Sequence, residues 1–138
     1  MKNSAVLFLS AIISVATACT DLGDDTVMCT EDYRMLTVTV SDPNGAPFLL
    51  DSSFVKKTAT GEVIRFEAED PYMDSVLRLE GRYLLMTDGK MGLTSGTGTE
   101  FTFHGFKSGM GLISESYVIA NDRCHVLKLS GRDTVVVN

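Results

Sequence analysis

Apolar and polar side chains alternate along much of this chain. Between residues 34 and 40, Leu36, Val38 and Val40 fall on one side of an extended backbone, and Thr37 and Thr39 on the other. A period of two in β-branched residues predicts a strand with one buried face. Pro43 presets φ and Asn44-Gly45 accepts positive φ, so the chain turns tightly within residues 41–47. Two more β-prone runs, 53–58 and 62–67, flank Ala59-Thr60-Gly61 and predict a hairpin. Arg65 and Glu67 alternate there with Ile64 and Phe66, which gives the second run one wet face.

Residues 70–81 fit two descriptions. Met73, Val76, Leu77 and Glu80 stand at helical spacing, and Gly81 is placed to cap a helix; an extended segment fits the same run. The strand 82–87 stops at Asp88-Gly89. Residues 88–99, rich in Gly, Ser and Thr, read as a mobile loop. Alternation resumes at 100–106, and a turn at 107–111 leads to its antiparallel partner, 112–119. Asn121-Asp122-Arg123 turns the chain again before the strands 124–129 and 134–137. Short strands with turn signals roughly every ten residues predict an all-β fold. No helical segments recur between them, which argues against a parallel α/β sheet. The expectation is an antiparallel Greek-key β-sandwich of about seven strands.

The N-terminus follows a different rule. Lys2 is a short positive region, residues 5–15 are apolar, and Ala16-Thr17-Ala18 are small. That order is the pattern of a secretory leader, and the apolar run is too short for a bilayer span of about 20 residues. Cys19 follows directly. Val15-Ala16-Thr17-Ala18-Cys19 resembles a bacterial lipobox, although Ala16 stands where Leu is preferred; an ordinary A-x-A cleavage site fits the same residues. The expected organisation is a leader over 1–18, a palmitate-bearing lipid on Cys19, an acidic tether over 19–30 and a β-sandwich domain over 31–138. The tether Thr20-Asp21-Leu22-Gly23-Asp24-Asp25 lacks the framed loop that calcium requires.

Composition narrows the function. The 138-residue chain is 44% hydrophobic, which suits a folded domain rather than disorder. Its net charge is −6, and losing Lys2 with the leader makes the mature chain more negative still. An acidic surface repels phosphate backbones, so nucleic acid is not an expected partner. Cysteine counting bears on the anchor. Of Cys19, Cys29 and Cys124, an odd thiol is a liability in an oxidising compartment. A lipid on Cys19 leaves an even pair, and Cys29 and Cys124 are then expected to form a disulfide; two separate buried thiols are the alternative.

Two segments carry a family resemblance: 29–40 with its Asp-Pro-Asn-Gly turn, and 117–126 running on to Ser130-Gly131. With the lipobox, they resemble small lipoproteins of Bacteroidetes-type bacteria that have a carboxypeptidase-regulatory-like, prealbumin-type β-sandwich. The resemblance implies a location in the cell envelope, and the acidic residues right after Cys19 resemble the export signals of surface lipoproteins in such bacteria, so the expected place is the outer membrane, lipid-anchored and surface-exposed. It implies no catalytic residues. Residues 88–99 depart from that pattern.

The chain offers few chemical motifs. Asp122-Arg123-Cys124-His125 with His104 is the most ligand-like set, but a disulfide at Cys124 removes its thiolate. Ser114 and Ser116 lack a nucleophile elbow, and the acidic cluster Glu67, Glu69, Asp70 and Asp74 reads as a solvated strand end. Lys90 precedes the glycines of 89–96 instead of following them, which does not match a phosphate loop. No catalytic residue, metal site or cofactor is assigned. The expected function is a non-catalytic envelope lipoprotein, a binding or assembly module for a glycan, peptide or partner protein. Loop 88–99 and turn 107–111 are the first places to look for the ligand. Two alternatives stand beside it. One is a metal-dependent protein or enzyme centred on Asp122, His125 and His104. The other is a pilus component that donates the terminal strand 134–137 to a neighbour.

Overall fold

The computed structural model describes residues 27–66 and 71–138. The leader, Cys19, the tether up to residue 26 and the acidic residues Glu67, Glu69 and Asp70 lie outside the described residues. The elements run β1 (Met35–Ser41), β2 (Ser52–Lys57), β3 (Val63–Ile64), α1 (Pro71–Leu79), β4 (Arg82–Thr87), a 3-10 helix (Asp88–Leu93), β5 (Thr99–Lys107), β6 (Met110–Asn121), β7 (Val126–Ser130) and β8 (Thr134–Val136). They form two sheets, ordered β4-β1-β8 and β3-β2-β5-β6-β7. All pairings are antiparallel except that of β1 with β8, which is parallel.

Alternation explains the layers. Val38 and Val40 of β1, Leu85 of β4, Phe101 and Phe103 of β5, and Tyr117 and Ile119 of β6 are buried in one core shared by both sheets. Each large apolar side chain taken out of water contributes about 2–3 kcal/mol before chain entropy is counted. The tight crossing from β1 to β2 needs a polar link as well. The buried Tyr83 hydroxyl accepts the Leu50 N–H at 2.7 Å and donates to the Phe48 carbonyl at 3.1 Å. By contrast, the buried Tyr117 hydroxyl has no hydrogen-bond partner among the described residues. Burial pushes its pKa up to about 12. Beside it Gly131, at φ +116°, lies so close that a Cβ would meet the Tyr117 ring at 2.2 Å.

Three of the sequence expectations meet the structure at α1, at the 3-10 helix and at the turn between β5 and β6. Residues 71–79 are helical, with Leu77 buried and an Asp74–Arg78 pair at 3.0 Å one turn apart. Gly81 ends the turn: its N–H reaches the Arg78 carbonyl at 2.9 Å and its φ is +68°. Residues 88–99 are not the expected mobile loop. Their first half is the 3-10 helix, and Ser95 then bridges Ala120 in parallel fashion. The Asn121 side chain donates to Thr94 Oγ1 at 2.9 Å, so this polar stretch is tied to β6. The turn between β5 and β6 is confirmed at Ser108-Gly109, both at positive φ. Asp51 fastens it, accepting from Lys107 Nζ at 2.9 Å and from the Ser108 N–H at 2.6 Å.

Candidate functional site

The short edge strand β3, with Ile64 facing inward, leaves the rim of the five-stranded sheet apart from β4. Helix α1 and the 3-10 helix stand at this gap. Here a cavity of about 710 Å³ opens, with Met35, Phe66, Leu77, Tyr83 and Leu84 among its lining residues. A second cavity of about 410 Å³ adjoins it, and Val63, Ile64, Arg65, Gly89 and Lys90 line both. The larger volume falls within the roughly 300–1,000 Å³ of small-molecule sites. The charged residues lining it are Arg65, Asp74, Arg78 and Lys90. Asp74 and Arg78 satisfy each other. Arg65 and Lys90 have no carboxylate partner among the described residues. A cleft of mixed lining, with two cations that are unpaired among the described residues, is therefore present on an acidic chain.

A second constellation stands at the start of the 3-10 helix. Asp88 Oδ2 accepts from the Arg34 N–H at 2.8 Å and meets His125 Nδ1 at 2.7 Å, while Oδ1 accepts the Val126 N–H at 2.8 Å. Burial pushes the Asp88 carboxyl up, and these hydrogen bonds outweigh it, holding the group below the usual carboxylate range. On the far side of the ring, His125 Nε2 lies 2.9 Å from Thr30 Oγ1. With Asp88 ionised, Nδ1 carries the proton, and in the neutral ring Nε2 accepts from Thr30. Next to this chain of contacts, Cys29 and Cys124 form a disulfide across a sequence separation of 95. Together they pin residues 29–34 to the β6–β7 turn and to the end of β4. The order hydroxyl, imidazole, carboxylate resembles a nucleophile with its base and orienting acid. Neither Thr30 nor His125 lines either cavity, however.

The predicted metal set is not brought together. His104 pairs with Ser114 on β6, whereas Val126, beside His125, pairs with Asn121. At about 3.3 Å per strand residue, those positions lie roughly 20 Å apart. Burial, then the Lys56 charge, lower the His104 pKa, and its ring packs 5.0 Å from Phe54. Asp122 does not face a ligand either: its Oδ1 accepts the N–H groups of Cys124 at 3.0 Å and His125 at 2.7 Å, which close the turn and hold its pKa down. Among the described residues, no group of three or more His, Cys, Asp or Glu is arranged to hold a metal ion.

Ser114 and Ser116 sit on β6, opposite His104 and Thr102. Asp74 is in α1, paired with Arg78. The terminal strand Thr134–Val136 is already paired with β1 inside the chain, with Val135 buried. Of the two segments singled out for a ligand, the Gly-rich one does border the cavities, through Gly89, Lys90, Gly92 and Leu93. The Ser108-Gly109 turn does not. Sequence reasoning missed Asp88, Arg65 and Thr30. Only Asp88 left a signal, as an acid at the stop of a strand, where it read as a turn residue. Comparison of the chain with protein-family models, with curated proteins and with solved structures gave no match in any of the three.

Proposed function

We propose that this chain is a non-catalytic lipoprotein of the cell envelope, held in the outer membrane by lipid on Cys19, with a Greek-key β-sandwich that offers its cleft to a ligand. The observation that carries the binding reading is the cavity of about 710 Å³ between β3, β4 and α1. It has the size and mixed lining of a ligand site. The anchor is supported by counting: the disulfide uses Cys29 and Cys124, which leaves Cys19 as the one remaining cysteine. The resemblance to small surface lipoproteins of Bacteroidetes-type bacteria points to the same compartment.

Native mass spectrometry of the protein purified from its host membranes tests the reading. A non-covalent small-molecule adduct is expected on the wild type and a much weaker one on Leu84→Trp, because indole at this half-buried lining position narrows the cavity. Absence of any adduct on the wild type, or an equal adduct on both, would contradict it.

A further inference from the structure

Charge is distributed unevenly around the cleft. The chain as a whole carries −6. Inside the cleft, Asp74 is committed to Arg78, while Arg65 and Lys90 meet no carboxylate among the described residues. Both cations stand where the two cavities adjoin, and Lys90 is half-buried. Glu62 lines only the smaller cavity. Inward from the cations, the lining turns apolar at Phe66, Leu77 and Leu84. The half-buried Lys90 ammonium and the exposed Arg65 guanidinium, both without a carboxylate partner among the described residues, attract an anion, and the apolar lining residues attract hydrocarbon.

We propose, building on the reading of the cleft as a ligand site, that it binds an amphipathic anion, with an acyl-sized apolar body between the sheets and one anionic head at Arg65 and Lys90. The division of labour follows from magnitudes. Each buried methylene raises affinity about fourfold, so a long chain supplies most of the binding, whereas the two cations together contribute only about tenfold and select the sign of charge. The body therefore sets how tightly the ligand binds, and the head sets which ligand binds. A carboxylate head identifies a free fatty acid; a phosphate head identifies a lipid fragment.

The test uses the full chain as its host processes it, carried in nanodiscs of neutral phosphatidylcholine, with empty nanodiscs as control. Carboxyl-labelled ¹³C dodecanoate is followed by NMR, and methyl dodecanoate and dodecyl phosphate are used as competitors. A protein-bound carboxyl resonance, distinct from that of the bilayer, is expected. Methyl dodecanoate should compete at least tenfold more weakly than unlabelled dodecanoate. Arg65→Gln with Lys90→Gln should weaken dodecanoate at least tenfold, with the urea midpoint unchanged. Dodecyl phosphate then names the source: tenfold tighter binding than dodecanoate means a phosphate head, tenfold weaker a carboxylate head, and parity the shared chemistry alone. Equal competition by the methyl ester, or unchanged binding by the double variant, would overturn the anionic head and leave the cleft reading standing. No bound resonance, together with no native adduct, would remove both.

Discussion

Asp88 carries more of the local structure than any other single carboxylate described. It receives Arg34, Val126 and His125, and through His125 it reaches Thr30. Hydrogen bonds to an ionised group contribute about 1.5–3 kcal/mol each, and a buried donor left without its acceptor costs a similar amount. Because the folded-state pKa of Asp88 is lowered, its contribution is complete above the ordinary carboxylate value of about 4 and is lost as pH falls through the lowered value. Asp88→Asn should therefore destabilise the protein by about 2 kcal/mol at pH 7 in urea unfolding. The gap to wild type should shrink at pH 3, as the wild-type carboxylate takes up its proton. A pH-independent gap would show that the charge is not what matters. None of these partners is close to Asp88 in sequence, which is why the strand-stop reading of Asp88-Gly89 found a turn and not the network. The run Asp122-Arg123-Cys124-His125 misled for a related reason. Its residues looked like ligands, but one closes a turn, one is oxidised and one is paired with Asp88.

At the scale of elements, β structure was legible because alternation is local. Each of β1, β5 and β6 buries the residues that a period of two selects. The helix was one of two readings of the same run, and tertiary contact decided between them: Leu77 is buried, and the Gly81 turn brings the chain back into β4. The 3-10 helix was misread because Gly, Lys and Ser are as common in loops, and its anchors on β6 come from elsewhere in the chain. Gly81 tests this junction. A Cβ there would lie 2.5 Å from the Val40 carbonyl oxygen, at a φ of +68° that side chains disfavour. Gly81→Ala should cost at least about 2 kcal/mol in urea unfolding, from the clash with backbone and the strained φ. It should also expose residues 71–79 to faster amide exchange. A cost below about 0.5 kcal/mol would mean that α1 and β4 are not rigidly coupled through this turn.

For the whole molecule, the cleft could not be read from any one segment. Its lining comes from β3, α1, β4 and the 3-10 helix, and the cations left unpaired among the described residues show only once Arg78 is seen to take Asp74. The disulfide could be anticipated by counting, since it concerns parity rather than geometry. It also gives the proposed anchor a mechanical consequence. With Cys29 bonded to Cys124, the link from Cys19 to the folded domain spans no more than about 35 Å when fully extended. With the proposed lipid on Cys19, the end of the domain that carries Asp88 and the β6–β7 turn would lie within that reach of the membrane. The proposed anchor and the disulfide divide the three cysteines in one way: lipid on Cys19, a covalent pair from the other two. Intact mass of the protein extracted from its host membranes reads both parts at once. The predicted mass is that of a chain beginning at Cys19, with an acylated diacylglyceryl group on that residue and two hydrogens fewer from the Cys29–Cys124 bond. A mature chain with a free Cys19 thiol, or one with Cys29 and Cys124 both reduced, would contradict it.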